Sequence, residues 1–320
     1  LRRIIFPIIA LVLIACEQEE LPLAAPVTEG EVIINSVNMT ETYADQVWFD
    51  LGTNTEVSRN LKTDWDISFD ASDSSNFIYL NSGLAAKAAI SPTSDFNSLT
   101  STSGLTFKSD HQTGIKDSLA IGNWENHNKV IVIDRGYTPK GKSMGLIKIQ
   151  FLTIKDGIYS FKYAKLDGSD FHEATVAKND LYNRIAYSFT NHTPIQIEPL
   201  KTAYDICFTQ YTHIFYDPIN PYLVTGVLLN PYRTKVAEDR TTAFKTIDLA
   251  STSAYTFSTD QDAIGYEWKY FDLNDNTFTI YPEHVFILND NEGYTYKLHF
   301  LDFYDDNGIK GTPTFEFKRL

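Results

Sequence analysis

The five residues Trp65-Asp66-Ile67-Ser68-Phe69 return 139 positions later as Tyr204-Asp205-Ile206-Cys207-Phe208, and this recurrence decides how the chain is read. Taken as a strand, the element puts Trp65, Ile67 and Phe69 on one face and Asp66 and Ser68 on the other, so a half-buried strand is expected. Two further matches follow in the same order. Ala120-Ile121-Gly122 with Trp124 returns as Ala263-Ile264-Gly265 with Trp268, and Lys148-Ile149-Gln150-Phe151-Leu152 as Lys297-Leu298-His299-Phe300-Leu301. Three matches in register make a tandem duplication the economical explanation. The recurrent aspartate could cap a turn or bind a ligand, and a structural role is the simpler reading. Ile-Gly ahead of Trp suggests a bend where backbone meets backbone, with the indole closing the core above it.

Between these landmarks the chain alternates apolar and polar residues, as in Tyr294-Thr295-Tyr296-Lys297-Leu298-His299-Phe300, with turn signals at Asp156-Gly157, Asp167-Gly168 and Asn307-Gly308. An all-β chain of two tandem antiparallel sheet domains is expected, with Leu84 to Ile90 the best candidate for a short helix. Each copy closes on an alternating aromatic strand, Phe161-Lys162-Tyr163 and Phe315-Glu316-Phe317. Asp167 to Asn183, rich in Asp, Ser and Asn, reads as the join. The domains are therefore placed at 41–175 and 176–320.

Ahead of them lies a different kind of sequence. Arg2 and Arg3, an apolar run from Ile4 to Ala15 and then Cys16 have the layout of a signal peptide, residues 1–15, too short to span a bilayer. Leu13-Ile14-Ala15-Cys16 resembles a lipobox, which implies that Cys16 is acylated and 16–40 a lipidated tether; the acidic residues Glu17, Glu19 and Glu20 look like the signal that sends such lipoproteins to the outer face of the outer membrane, and a solvated tether explains them equally well. Cys207 is the one other cysteine, so no intramolecular disulfide is expected. The formal charge of −14 becomes −16 once Arg2 and Arg3 leave, which argues against nucleic acid and anionic headgroups as partners.

Thr63-Asp64-Trp65-Asp66-Ile67-Ser68-Phe69, Ile264-Gly265-Tyr266-Glu267-Trp268-Lys269 and the ending Gly311-Thr312-Pro313-Thr314-Phe315-Glu316-Phe317 resemble the HmuY family of Bacteroidetes lipoproteins. The resemblance implies an all-β fold, and haem captured between two axial His or Met side chains for delivery to a TonB-dependent outer-membrane receptor. In haem-binding members the ligands come from the middle of the domain. The second copy has neither His nor Met from Thr234 to Lys269, which leaves a tyrosinate at Tyr255 or Tyr266, whereas the first has His111 and His127, with Met144 beyond.

Two imidazoles on opposite faces of haem iron would give a closed site suited to carriage. The plain alternative is that His111 and His127 are exposed loop histidines. His213, in the aromatic run Gln210-Tyr211-Thr212-His213-Ile214-Phe215-Tyr216, is the candidate peculiar to the second copy, or else a strand histidine packed among aromatics. His172, His192 and His284 sit in polar turns, and His299 should point away from the core. Asp302, Asp305, Asp306 and Asn307 lack calcium-loop spacing. No local catalytic motif is present, so a non-enzymatic protein is expected. The competing reading is a surface module for a glycan or a protein.

Overall fold

The structure is a computed structural model that describes residues 26–320. The signal peptide, Cys16 and the tether as far as residue 25 lie outside the described residues; the rest of the expected tether is not one, since Val32–Ser36 is a strand and Val37 and Met39 are buried in the core. Among the described residues twenty strands follow in order. They are β1 (Val32–Ser36), β2 (Asp45–Asp50), β3 (Thr55–Leu61), β4 (Ile67–Asp70), β5 (Ile78–Leu80), β6 (Lys87–Ile90), β7 (Ile131–Asp134), β8 (Leu146–Lys155), β9 (Ile158–Ala164) and β10 (His172–Ala177). The second half adds β11 (Arg184–Ser188), β12 (Thr193–Ile195), β13 (Ile206–Tyr216), β14 (Ile219–Leu229), β15 (Lys235–Asp239), β16 (Lys269–Asp272), β17 (Thr277–Ile280), β18 (Val285–Asn289), β19 (Thr295–Tyr304) and β20 (Lys310–Arg319). The helical pieces among the described residues are short 3-10 segments of three to five residues. Leu84 to Ile90 is one such segment, Ser82–Leu84, running into β6 rather than a helix.

Two sandwiches result. In one, the sheet β12-β11-β4-β5 packs on β10-β9-β8-β7-β6 around Ile67, Phe69, Trp124, Phe151, Phe161 and Tyr187. In the other, β14-β13-β2-β3 packs on β1-β20-β19-β18-β15 around Phe49, Phe208, Trp268, Phe300 and Phe315. Inward side chains at alternate positions supply both cores.

These sheets do not follow the order that two simple tandem copies would give. Each linear copy opens with three strands, β1–β3 in the first and β10–β12 in the second, and each set pairs with the other copy. Thus β2 lies against β13 with Phe49 opposite Ile206, while β11 lies against β4 with Tyr187 opposite Ile67. Likewise β1 adds to β20, and β10 to β9. One sandwich is the continuous segment 62–198; the other joins 26–61 to 199–320. The expected boundary near residue 175 falls inside β10, and the Asp/Ser/Asn-rich stretch read as a linker carries that strand and part of its turn. Its Ala174 and Val176 alternate inward, which a linker has no reason to do.

The exchange accounts for a second departure. Every residue of β4 is buried, not only those on the face shared by Ile67 and Phe69. The Ser68 face is covered by the other sandwich across a seam of about 100 Å³ that also carries Trp48, Trp65, Cys207 and Thr209. The Ile-Gly-Trp reading matches what the backbone does. Gly265 sits at φ +64° and exchanges two backbone hydrogen bonds with Val227, at 2.9 and 3.1 Å, while Trp268 beside it is buried. A Cβ on Gly226 would lie 2.2 Å from the Gly265 carbonyl oxygen.

Candidate functional site

The hairpin β13–β14 runs eleven residues on each side, longer than β2 beside it, so its outer half projects past the sheet. Its tip leaves Phe215, Tyr216, Ile219 and Tyr222 exposed, with Ile219 at 74 %. Four large apolar residues on one projecting ribbon form the kind of surface that monomers normally keep small.

At the base of this ribbon stands His213. Its ring meets the edges of Phe215 and Tyr266, with centroids at 4.8 and 5.2 Å. Nδ1 is buried without a hydrogen-bond partner, 3.8 Å from Asp262 Oδ2. Burial lowers the affinity of His213 for a proton, Glu267 opposes that, and His111 adds to it. The imidazole is thereby held neutral, as a metal ligand must be. A cavity of about 170 Å³ opens here, lined by Tyr211, Glu238, Arg240, Asp262, Tyr266 and Glu267. Its carboxylates outnumber its one guanidinium, and Arg240 is already held by Glu238 at 3.0 Å and Glu267 at 3.1 Å. Burial lifts the Asp262 carboxyl to about 6, so this acid titrates close to neutrality.

His111 reaches the same ribbon from the first copy, although it does not line the His213 cavity. The loop carrying it lies along the free edge of β13, where Gln112 Oε1 accepts from the Ile214 amide at 3.2 Å and the Thr113 carbonyl from the Gln261 amide at 3.0 Å. Both ring nitrogens of His111 are engaged, Nδ1 with Thr113 Oγ1 at 2.8 Å and Nε2 with the Tyr216 hydroxyl at 2.6 Å. His127 follows the 3-10 turn Trp124–Asn126; its Nδ1 accepts from the Lys129 amide at 3.3 Å and its Nε2 is buried and unpartnered. Burial, then Lys129, lowers its proton affinity. Among the described residues no hydrogen bond or ring contact joins His127 to His111. The structure thus ties His111 to Tyr216, on the same strand as His213, and not to His127.

The tyrosines fare differently. Tyr255 donates to Asp239 at 2.6 Å, and burial pushes the phenols of both Tyr255 and Tyr266 upward, away from tyrosinate. His299 is covered rather than free, its ring stacked on Phe244 at 4.3 Å. The Asp305 carboxylate accepts from the Asn307 and Ile309 amides, an ordinary turn. The sequence singles out His213 and, as a tyrosinate, Tyr266, but not Asp262 and not Tyr266 as a ring packed against His213. Tyr266 lay within the quoted Ile-Gly-Tyr-Glu-Trp motif; nothing in sequence spacing places Asp262 opposite a residue 49 positions earlier.

Residues 42–317 match the family described as HmuY protein, most of the chain and both sandwiches. The chain belongs to the HmuY family. None of the curated proteins matches it. Among solved structures, apo PinO from Porphyromonas gingivitis aligns at 10% identity over 91% of this chain and 97% of its own, with a TM-score of 0.30. The apo HmuY analog TFO from Tannerella forsythia aligns at 11% identity over the same shares, with a TM-score of 0.24. Within this HmuY-family chain the family-diagnostic residues are framework: Trp268 and Phe315 are core, and Asp66 and Asp205 are buried.

Proposed function

We propose that this HmuY-family chain is a non-enzymatic, surface-exposed lipoprotein, anchored through Cys16, that captures haem or a related porphyrin for a TonB-dependent outer-membrane receptor. The observation that carries the reading is His213: a neutral imidazole with an unpartnered buried nitrogen, framed by two aromatic edges at the base of an exposed apolar ribbon. Family membership supports the choice of porphyrin over other flat ligands. The cavity is below the ~300 Å³ usual for an enclosed ligand site, so a porphyrin would lie partly outside it, one face along Phe215 and the ribbon. With Glu238, Asp262 and Glu267 inside, its propionates would point to solvent while the iron faces the acidic floor.

His213 is the favoured axial ligand. His111 is the second, at the cost of its bond to Tyr216; His127 is the alternative that the sequence suggests. A second reading rests on the same exposed tip, since Phe215, Tyr216, Ile219 and Tyr222 would equally suit a protein or glycan partner. Titrating ferric haem into the chain separates the two. Saturable binding with a low-spin spectrum, lost in His213→Ala, is the expected result, with His111→Ala and His127→Ala identifying the second ligand. No saturable spectral shift, or one unaltered by all three substitutions, would sink the porphyrin site and leave the interaction module.

A further inference from the structure

In the sandwich that contains β10, β11 and β12, three residues that the sequence scatters over polar turns converge. Asp170 precedes β10, His172 opens it, and His192 lies in the turn between β11 and β12. Together they bring one carboxylate oxygen and two ring nitrogens within 4.8 Å of one another. The imidazoles lie face to face, centroids 3.8 Å apart and planes 17° from parallel. His172 Nε2 is 3.0 Å from Asp170 Oδ1. Behind them Tyr163, 1% exposed, places its hydroxyl 2.8 Å from His192 Nδ1 and 3.0 Å from the Tyr187 hydroxyl.

We infer that Asp170, His172 and His192 form a binding site for a divalent transition-metal ion of the zinc type, with solvent completing the coordination. Two imidazoles and a carboxylate are a zinc donor set, and three protein ligands leave one position open. Bonds of about 2.1 Å put tetrahedral ligands about 3.4 Å apart, so the separations here, none above 4.8 Å, need at most about 1.4 Å of closure. Because the ion must lie in the plane of each ligating ring, one imidazole has to turn out of the stack; His172, whose ring is hydrogen-bonded only to Asp170 among the described residues, would turn while Tyr163 holds His192. With the ion on His192 Nε2, Nδ1–H donates to Tyr163, which donates in turn to Tyr187. That is the outer hydrogen-bond chain that fixes the tautomer and ring plane of a ligating histidine.

The cluster is not part of the repeated framework. At the 139-residue offset, Glu31, Ile33 and Thr53 stand where Asp170, His172 and His192 do, a set with no imidazole. Asp170 and His192 both hold positive φ, +56° and +55°, a region that residues other than glycine visit uncommonly. Lys165 lies near, Nζ 3.6 Å from Asp170 Oδ2, as a cation already attracted to the carboxylate. An incoming ion must displace it, which provides a variant that should gain affinity.

The site is independent of the porphyrin reading. The test is calorimetric titration of Zn²⁺ into the chain without an affinity tag, with thermal unfolding beside it. One ion per chain is expected, with a rise in Tm. Affinity should fall at least tenfold in His172→Ala and in His192→Ala, fall roughly tenfold in Tyr163→Phe, and rise in Lys165→Met. All four positions can be compared without zinc, so a folding defect appears as a lowered Tm in the metal-free titrant. No saturable binding by the parent, or binding unchanged in both histidine variants, overturns the site.

Discussion

Arg135 grips Asp66 with two bonds, Nε to Oδ1 at 2.8 Å and Nη2 to Oδ2 at 3.1 Å, while Asp66 Oδ2 also accepts from the Phe189 amide at 2.7 Å. The repeat-related Asp205 keeps the second of these relationships, accepting from the Leu51 amide at 2.9 Å. Among the described residues it has no cation. Phe189 follows β11 and Leu51 follows β2, so in each sandwich this aspartate ties down the strand that crosses over from the other copy. Its recurrence is explained by the exchange and by no ligand.

The two aspartates should respond differently to substitution. Asp66→Ala leaves the half-buried Arg135 guanidinium without its carboxylate and the buried Phe189 amide without its acceptor, and should cost about 3 kcal/mol, measured by chemical denaturation at pH 7. Asp205 is buried beside Asp50, and both effects push its carboxyl well above the usual range. Asp205→Asn retains an oxygen for the Leu51 amide, so it should change stability by less than about 1 kcal/mol at pH 7. Equal losses at the two positions would contradict this assignment.

The exchange predicts which fragments fold. Residues 62–198 contain all nine strands of one sandwich, and should give a dispersed amide NMR spectrum and a cooperative melt alone. Residues 199–320 lack β1, β2 and β3, leaving β13 and β20 without their outer neighbours and Phe208 without Phe49, 6.3 Å away. That piece should fold only on addition of 26–61. Fragments cut at residue 175, through β10, should fold in neither half; well-folded 41–175 would refute the exchange.

Much of this was legible in the sequence, and what was not has a physical cause. The motif around Asp66, the Gly265 bend and the buried Trp268 could be read because alternation and glycine chemistry are local. The exchange could not, since alternation says which face of β2 or β11 is apolar but not which of two similar cores receives it. His213 stood out from its aromatic neighbours. His172 and His192 did not, because they meet only after the turn that follows β11 folds over the start of β10.

Gly226 and Gly136 provide a packing test. A Cβ on Gly136 would lie 1.8 Å from the Leu84 carbonyl oxygen, and Gly136 also holds φ +75°. Both contacts are with backbone, which cannot rotate aside. Gly136→Ala and Gly226→Ala should each destabilise by more than about 2 kcal/mol, whereas Gly104→Ala, at similar φ but with open space, should cost about 1 kcal/mol. Similar losses at Gly136 and Gly104, with none at Gly226, whose φ is not positive, would show that strain in φ, not the approach of backbones, sets the requirement for glycine.

Stability should fall with rising pH on the acidic side of neutrality. Burial lifts the Asp110 carboxyl to about 6, against opposing bonds from the Ala120 and Leu80 amides. The folded state then holds a proton that the unfolded chain releases from about pH 4 upward, so this group's contribution is full below pH 4 and declines until pH 6. The whole effect is about 3 kcal/mol. Substituting Asp110 by Asn should flatten the profile of unfolding free energy between pH 4 and 6.

Lys269 should act in the opposite sense at higher pH. Its ammonium is enclosed by Trp268 at 4.0 Å and Phe303 at 4.7 Å, donates to the Thr225 carbonyl, and faces no carboxylate within ion-pair distance among the described residues. Burial lowers its pKa to about 7. Below that value both states carry the charge and the folded state bears the full desolvation penalty. Between pH 7 and the ordinary value of 10.5 the folded lysine is neutral while the unfolded one keeps its proton, so stability rises with pH. Replacing Lys269 by Met removes the charge without removing the packing. The variant should therefore exceed the parent in stability at pH 6 and lose that advantage by about 2–3 kcal/mol on going to pH 9. A parent-minus-variant difference that stays constant from pH 6 to pH 9 would mean that the lysine remains charged inside the sandwich, stabilised by the Thr225 carbonyl and the aromatic faces alone.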